Sequence, residues 1–280
     1  MPVETIDTVE ELRAQIAAWR KAGDKIALVP TMGALHAGHL MLVEAAQAKA
    51  ERVVVSIFVN PSQFGPNEDF SRYPRRQEED LAALEKLGVP LVFAPSVAEM
   101  YPQGFATTIG VDGPALGLET DFRPNFFRGV ATVVAKLLIA ALPDFATFGE
   151  KDYQQMQVVR RMVADLAIPT TILPVATMRE PDGLALSSRN LYLGAEERQT
   201  APLLYRVLTE TASALRAGMA PAETLQAANA RLSEAGFRVD YVALCDAESL
   251  ERLQELPEAP ARLLAAAWLG TTRLIDNIAV

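Results

Sequence analysis

The two histidines of the chain, His36 and His39, stand three residues apart in the stretch Pro30 to His39, PTMGALHAGH, directly after an apolar run. On a helix, that spacing puts two imidazoles on one face. Neutral imidazole and imidazolium both donate hydrogen bonds, so such a pair at the head of a helix suits holding nucleotide phosphates and stabilising charge that develops on them. The competing assignment for either histidine is a cap or a surface group, and short H-x-G-H strings also arise by chance. Zinc fits poorly: no third ligand stands nearby, there is no H-E-x-x-H, and the single cysteine, Cys245, is remote in sequence. A nucleotide-handling enzyme is the first reading.

Net charge narrows the ligand. With 26 Lys and Arg against 35 Asp and Glu, the chain carries −9, spread along its length, which argues against nucleic acid as a partner. An anion such as ATP must then be met by a few local groups. Lys151, beside a helix start, and Arg189, after Ser187 and Ser188, offer a cation and hydroxyl donors, with surface salt bridges as the alternative. Gly33 permits close backbone approach, and Gly38 lies at a helix N-terminus whose N–H groups favour anions. Neither G-x-G-x-x-G nor G-x-x-x-x-G-K-[ST] is present, so a dinucleotide oxidoreductase and a Walker-type kinase lose their main support. Asn60, Gln63 and Gln155 are neutral amides suited to hydroxyls and a carboxylate together, as a small polyhydroxylated acid would present. Glu79 and Asp80 are candidate Mg²⁺ ligands, or else acids complementing a helix dipole. Pro61 to Arg72 reads as a flap over the site.

The elements that position these residues follow from periodicity. Thr8 and Glu11 form a capping box before a helix to about Lys21, stopped by Gly23. A strand at Ile26 to Val29 ended by Pro30, a helix from Gly38 to about Ala50 and an apolar β-branched strand at Arg52 to Val59 make a β-α-β unit. Alternation continues with helices near Gln77 to Leu87, Val130 to Leu142 and Asp152 to Leu166. The strands among them lie at Leu91 to Phe93, Phe145 to Phe148 and Thr170 to Val175. This predicts a doubly wound, Rossmann-like parallel sheet over residues 1–177, with four loops at the carboxyl edge where ligands bind. Residues 178–280 predict a smaller α+β domain covering the active site. It has helices at Ala195 to Ala217 and Pro221 to Ala235, and antiparallel strands at Arg238 to Leu244, Arg262 to Leu269 and Thr272 to Val280. No membrane partner is expected, because no apolar run approaches about 18 residues. The acidic N-terminus and the lone cysteine point to a cytoplasmic location.

The order and spacing of PTMGALHAGH, FVNPSQF (Phe58 to Phe64), YPR (Tyr73 to Arg75), FRGVATVV (Phe127 to Val134), FGEKDYQQ (Phe148 to Gln155), REPDGLALSSRN (Arg179 to Asn190) and TRLIDN (Thr272 to Asn277) closely resemble the pantothenate synthetases, or pantoate–β-alanine ligases. These belong with the class I aminoacyl-tRNA synthetase-like nucleotidyl transferases. The resemblance covers nearly the whole chain. It implies ATP-dependent ligation of pantoate and β-alanine to pantothenate through pantoyl adenylate, releasing AMP and pyrophosphate, with Mg²⁺, in a homodimer. It assigns ATP to Met32, Gly33, Ala34, Leu35, His36, Ala37, Gly38 and His39, to Gly149, Glu150, Lys151 and Asp152, to Met178, and to Leu186, Ser187, Ser188 and Arg189. His39 is the implied proton donor, Gln63 and Gln155 hold pantoate, and Gln63 also neighbours β-alanine. His36 and Lys151 join His39 as the candidate catalytic set, and the FRGVATVV segment is a candidate dimer contact. Ala37 stands where relatives often carry an acid, Asn125 and Phe126 where many carry Gly-His, and Gly194 where a serine-like cap is common. Two rivals remain: a nucleotidyltransferase acting on a phosphorylated molecule, and a non-catalytic ATP-binding regulator.

Overall fold

The computed structural model describes residues 3–65, 70 and 73–280. Six parallel strands, β1 (Glu4–Ile6), β2 (Ile26–Thr31), β3 (Arg52–Ile57), β4 (Leu91–Phe93), β5 (Phe145–Gly149) and β6 (Thr171–Val175), form one sheet in the order β1-β4-β3-β2-β5-β6. The chain winds outward one way from β2 through β3 and β4, and the other way from β5 to β6. The switch point therefore lies between β2 and β5, where open α/β sheets bind ligands beyond the strand ends. Helices α1 (Val9–Ala22), α2 (Ala37–Gln47), α3 (Gln77–Lys86), α4 (Val97–Met100), α5 (Glu119–Phe122), α6 (Phe126–Ala141) and α7 (Tyr153–Asp165) alternate with these strands. Leu42, Val43 and Ala46 of α2 pack on Ala27, Val29, Val53 and Val55. Ile26, Leu28 and Val54, which alternate with those strand positions, are also fully buried, so both faces are covered. Each such aliphatic side chain contributes about 1.5–3 kcal/mol on burial.

Local signals explain the element ends. The Thr8 hydroxyl accepts from Glu11 N–H while the Glu11 carboxylate accepts from Thr8 N–H, and Gly23 closes α1 at φ +89°. Pro30 continues β2 rather than ending it. Ile26 bonds toward β5 and Thr31 toward β3, so by alternation the Pro30 nitrogen faces the β5 side, past the pairings of Ala27 and Leu28. The three-residue β1 has too short a pattern to be read from sequence, and α6 begins at Phe126 instead of Val130.

A second sheet, β7 (Arg238–Asp246), β8 (Ala261–Leu269) and β9 (Thr272–Ala279), is antiparallel in that order. After the short α8 (Ala195–Thr200), α9 (Leu203–Arg216) and α10 (Pro221–Glu234) pack against it, with Leu204, Leu208 and Leu232 in one cluster with Leu263, Ala265 and Ala267. The expected single helix from Ala195 to Ala217 is divided, since Pro202 has no N–H to continue the first ladder.

The two compact units are not separated by one cut near residue 177. The first comprises Met1–Val111, Arg123–Glu150 and Val158–Ala176; the second takes Asp112–Phe122 and Lys151–Gln157 together with Thr177–Val280. Side-chain bonds account for the two early segments. Glu119 accepts from Arg273 at 2.6 Å and from the Tyr241 hydroxyl at 2.9 Å, and Gln157 and Tyr153 donate to the Ala247 carbonyl. No helix among the described residues is long and apolar enough to cross a membrane.

Candidate active site

In the first unit, the loop after β2 carries the histidines. His36 is not on the helix but caps it, with extended backbone at φ −133°. Its Nδ1 accepts from Gly38 N–H at 3.2 Å, and Nδ1 of His39 accepts from His36 N–H at 3.3 Å. The rings lie 4.1 Å apart. The pair therefore meets through a capping box made of two imidazoles, and not through a shared helix face. With Nδ1 accepting in both, a neutral ring carries its proton on Nε2. The Gly38 N–H expected to serve an anion is engaged by His36.

Asp80, on the first turn of α3, shapes that loop. Its carboxylate accepts from Ala34 N–H at 2.9 Å and Leu35 N–H at 2.7 Å, and it is 3% exposed. Ala34 has φ +51°, a conformation costing roughly 1–2 kcal/mol for a residue with a Cβ, and Asp80 holds it there. Gly33, at φ +81°, has the Asp80 carboxylate where a Cβ would meet it at 3.0 Å. Burial pushes the Asp80 carboxyl above its ordinary pKa, with the bonds from Leu35 and Ala34 pulling the other way. Glu79 instead pairs with Arg76, its side chain 71% exposed. The two candidate Mg²⁺ ligands thus stand in different settings: Glu79 is an exposed surface acid, and Asp80 a buried clasp on backbone N–H groups. Among the described residues, no three or more His, Cys, Asp or Glu side chains are grouped so as to hold a metal ion.

The loop after β3 begins with Asn60, 1% exposed, heading a 3-10 turn at Pro61–Gln63. The Asn60 amide oxygen accepts from Ser62 N–H, the Ser62 hydroxyl and the Tyr101 hydroxyl, while Nδ2 donates to Gln63 Oε1 and Gly129 O. Asn60 is a buried anchor of this turn, its two donors and its acceptor all engaged within the chain. It orients Gln63, whose Nε2 donates to the Met32 sulfur at 3.0 Å. Gly129 of α6 lies against this turn so closely that a Cβ would overlap the Ser62 carbonyl. Most of the segment Phe127 to Val134 is buried within the chain, with Arg128 exposed. Of the expected flap, residues 66–69, 71 and 72 lie outside the described residues.

The loop after β5 begins with Gly149 and Glu150 in the first unit and passes to Lys151 and Asp152 in the second. Lys151 is 19% exposed, its ammonium 3.8 Å from Asp152. Gln155 is half-buried. Met178 accepts from Leu186 N–H, closing a hairpin through Arg179 and Ala185, and the Ser187 hydroxyl caps the next turn by accepting from Arg189 N–H. Sequence reasoning gave no individual role to Tyr101, Gly129, Arg179, Asp276 or Asn277, although all but Tyr101 lie in the motifs quoted above; periodicity does not register the contacts they make across the chain.

Residues 4–279 match the family described as Pantoate-beta-alanine ligase. The chain belongs to that family. It is 57% identical to a pantothenate synthetase of Paramagnetospirillum magneticum over 279 residues, covering 99% of this chain and 98% of that one. The counterpart from Rhodospirillum rubrum is 54% identical over 274 residues, covering 98% and 97%. A crystal structure of pantothenate synthetase from Thermus thermophilus superposes with a TM-score of 0.92 at 50% identity over 99% of each chain. A pantoate–β-alanine ligase from Francisella tularensis, crystallised with beta-gamma ATP and β-alanine, gives 0.82 at 34% identity over 99% and 97%. The family makes this chain a ligase that forms an amide bond.

Phe126 and Gly194 each have a local partner. Phe126 lies under the Arg123 guanidinium at 3.7 Å, and Arg123 also donates to the Gln63 carbonyl at 3.4 Å. At Gly194 the missing side-chain cap is offset by Glu197, whose carboxylate accepts from Gly194 N–H at 2.8 Å.

Proposed function

We propose that this ligase joins pantoate and β-alanine to give pantothenate, with ATP cleaved to AMP and pyrophosphate through a pantoyl adenylate. The observation that carries the reading is the family match over residues 4–279, and the Francisella relative supports ATP and β-alanine as ligands. In the first step a pantoate carboxylate oxygen bonds the α-phosphorus as the bond to the β-phosphate oxygen breaks. Charge grows on the phosphoryl oxygens and the departing pyrophosphate. Nε2–H donors of His36 and His39 and the Lys151 ammonium are of the type that stabilises such charge. In the second step the neutral amine of β-alanine bonds the acyl carbon, the acyl–oxygen bond to AMP breaks, and the amine proton is lost to solvent. Gln63 and Gln155 are proposed to hold pantoate, with Gln63 also beside β-alanine, and His39 is proposed as the proton donor. Mg²⁺ is proposed to enter with the nucleotide, neutralising phosphate charge. A cytoplasmic homodimer is proposed on the family resemblance.

Incubated with MgATP, pantoate and β-alanine, the protein should form pantothenate and AMP in equal amounts by mass spectrometry. ADP in place of AMP would overturn the adenylating route.

Asp80→Asn should lower the adenylation rate about 10-fold or more, because an amide offers one acceptor to two loop N–H groups and releases the strained Ala34. Removing a buried charge offsets the lost bond, so the unfolding temperature should change little. Stopped-flow adenylation beside calorimetry would check this, and an unchanged rate would remove the clasp role.

A further inference from the structure

Asp276 and Asn277 are neighbours on β9, both nearly inaccessible, at 4% and 3% exposure. Successive strand residues point to opposite sides, so the pair reaches two different segments. Asp276 takes a two-pronged bond from Arg179, at 2.6 and 2.8 Å. The same guanidinium donates to the Gly183 carbonyl at 3.1 Å and stacks on Tyr205 at 3.7 Å. Gly183, at φ +95°, sits so that a Cβ would meet the Tyr205 ring at 2.6 Å. The hairpin is thus fixed at its base by a fork and at its tip by a ring. It runs directly into Leu186–Arg189, and Leu186 N–H donates back to Met178 O at 2.9 Å. On the other side, Asn277 donates from Nδ2 to the Lys151 carbonyl at 2.9 Å and accepts from Arg262 Nε at 2.7 Å, with Arg262 stacked on Tyr153 at 4.2 Å. The Asn277 N–H donates to Asp276 Oδ1, tying the two side-chain systems together.

We infer that Asp276 and Asn277 form a brace that sets the Lys151–Asp152 and Leu186–Arg189 segments in one register, making Asp276, Asn277 and Arg179 positioning residues for the nucleotide step. This rests on the adenylating reaction proposed above. A brace of this kind matters more to ATP than to the amine, because the groups it places are the ammonium, hydroxyl and guanidinium that suit a polyphosphate. Arg179→Lys does not repair it, since an ammonium cannot make the two-pronged bond or the flat stack.

The test uses Asn277→Asp, which keeps size and the Arg262 acceptor but turns an oxygen toward the Lys151 carbonyl, with Asn277→Ser and Arg179→Lys as milder companions should the first fold poorly. Three quantities are read on each folded protein: the ATP dissociation constant by calorimetry, pantoate-dependent pyrophosphate–ATP exchange, and conversion of supplied pantoyl adenylate by β-alanine. The brace predicts ATP binding and exchange each weakened about 10-fold or more, with adenylate conversion near that of the parent protein. Equal losses in both half-reactions would mark a merely structural pair and overturn the inference, as would unaltered ATP affinity. If the parent protein shows no exchange, the adenylating reading fails separately, and the brace is then decided by ATP affinity alone.

Discussion

His39→Ala lowers the rate of pantoyl adenylate formation about 100-fold or more, the loss expected when one donor to developing transition-state charge is removed. The variant also loses a helix contact, because His39 Nδ1 accepts from His36 N–H in the reciprocal cap of α2. That loss amounts to about 0.5–2 kcal/mol of stability, so a rate measured on alanine alone mixes two effects. Glutamine separates them. At the third helical position Gln reaches back to the cap N–H as a capping-box residue does, but it does not reproduce an imidazole Nε2–H. His39→Gln should therefore regain the unfolding temperature of the parent protein while its single-turnover rate stays low. Recovery of rate together with stability would show that His39 acts through the cap and not through the reaction.

The second large effect is expected at Gly129. In an exposed helix interior, Gly→Ala stabilises by about 1 kcal/mol. Here the sign reverses, because a Cβ would overlap the Ser62 carbonyl and stand 2.7 Å from Gln63 N. The turn must move away from α6, and the Asn60 bond to Gly129 O moves with it. Overpacking of this kind costs about 1–3 kcal/mol, which the fold survives. Displacing Gln63 by about 1 Å is enough to reduce turnover about 100-fold. Kinetics with varied pantoate should show a raised KM and lowered kcat in a protein that still unfolds cooperatively. Parent-like kinetics would mean that the turn does not place Gln63 for the substrate.

These two positions differ in how visible they are in sequence. His36 and His39 advertise themselves by type and spacing, although the spacing suggested a helix face where the chain makes a cap. Gly129 lies just before the helix expected from Val130, inside the FRGVATVV motif, and nothing local marks it singly, because its partner is a turn from another part of the chain. Asp80 looks like an acid complementing a helix dipole; its bonds reach back to Ala34 and Leu35, separated by 46 and 45 residues. The parallel sheet was legible because its β-branched runs are buried on both faces, and the first helix because Thr8, Glu11 and Gly23 punctuate it. The passage of Asp112–Phe122 and Lys151–Gln157 into the second unit was not legible, since it depends on Glu119 meeting Arg273 and on Gln157 meeting Ala247. Local signals thus reported what neighbours along the chain decide, and the placement of the candidate catalytic groups depends on buried bonds between distant segments.

The central claim is that the acid is activated on the nucleotide before the amine enters. Pyrophosphate–ATP isotope exchange, run with pantoate and MgATP and with β-alanine left out, tests it most directly. The account predicts that label passes from pyrophosphate into ATP only when pantoate is present. Absence of pantoate-dependent exchange in a preparation that makes pantothenate once β-alanine is added would contradict it.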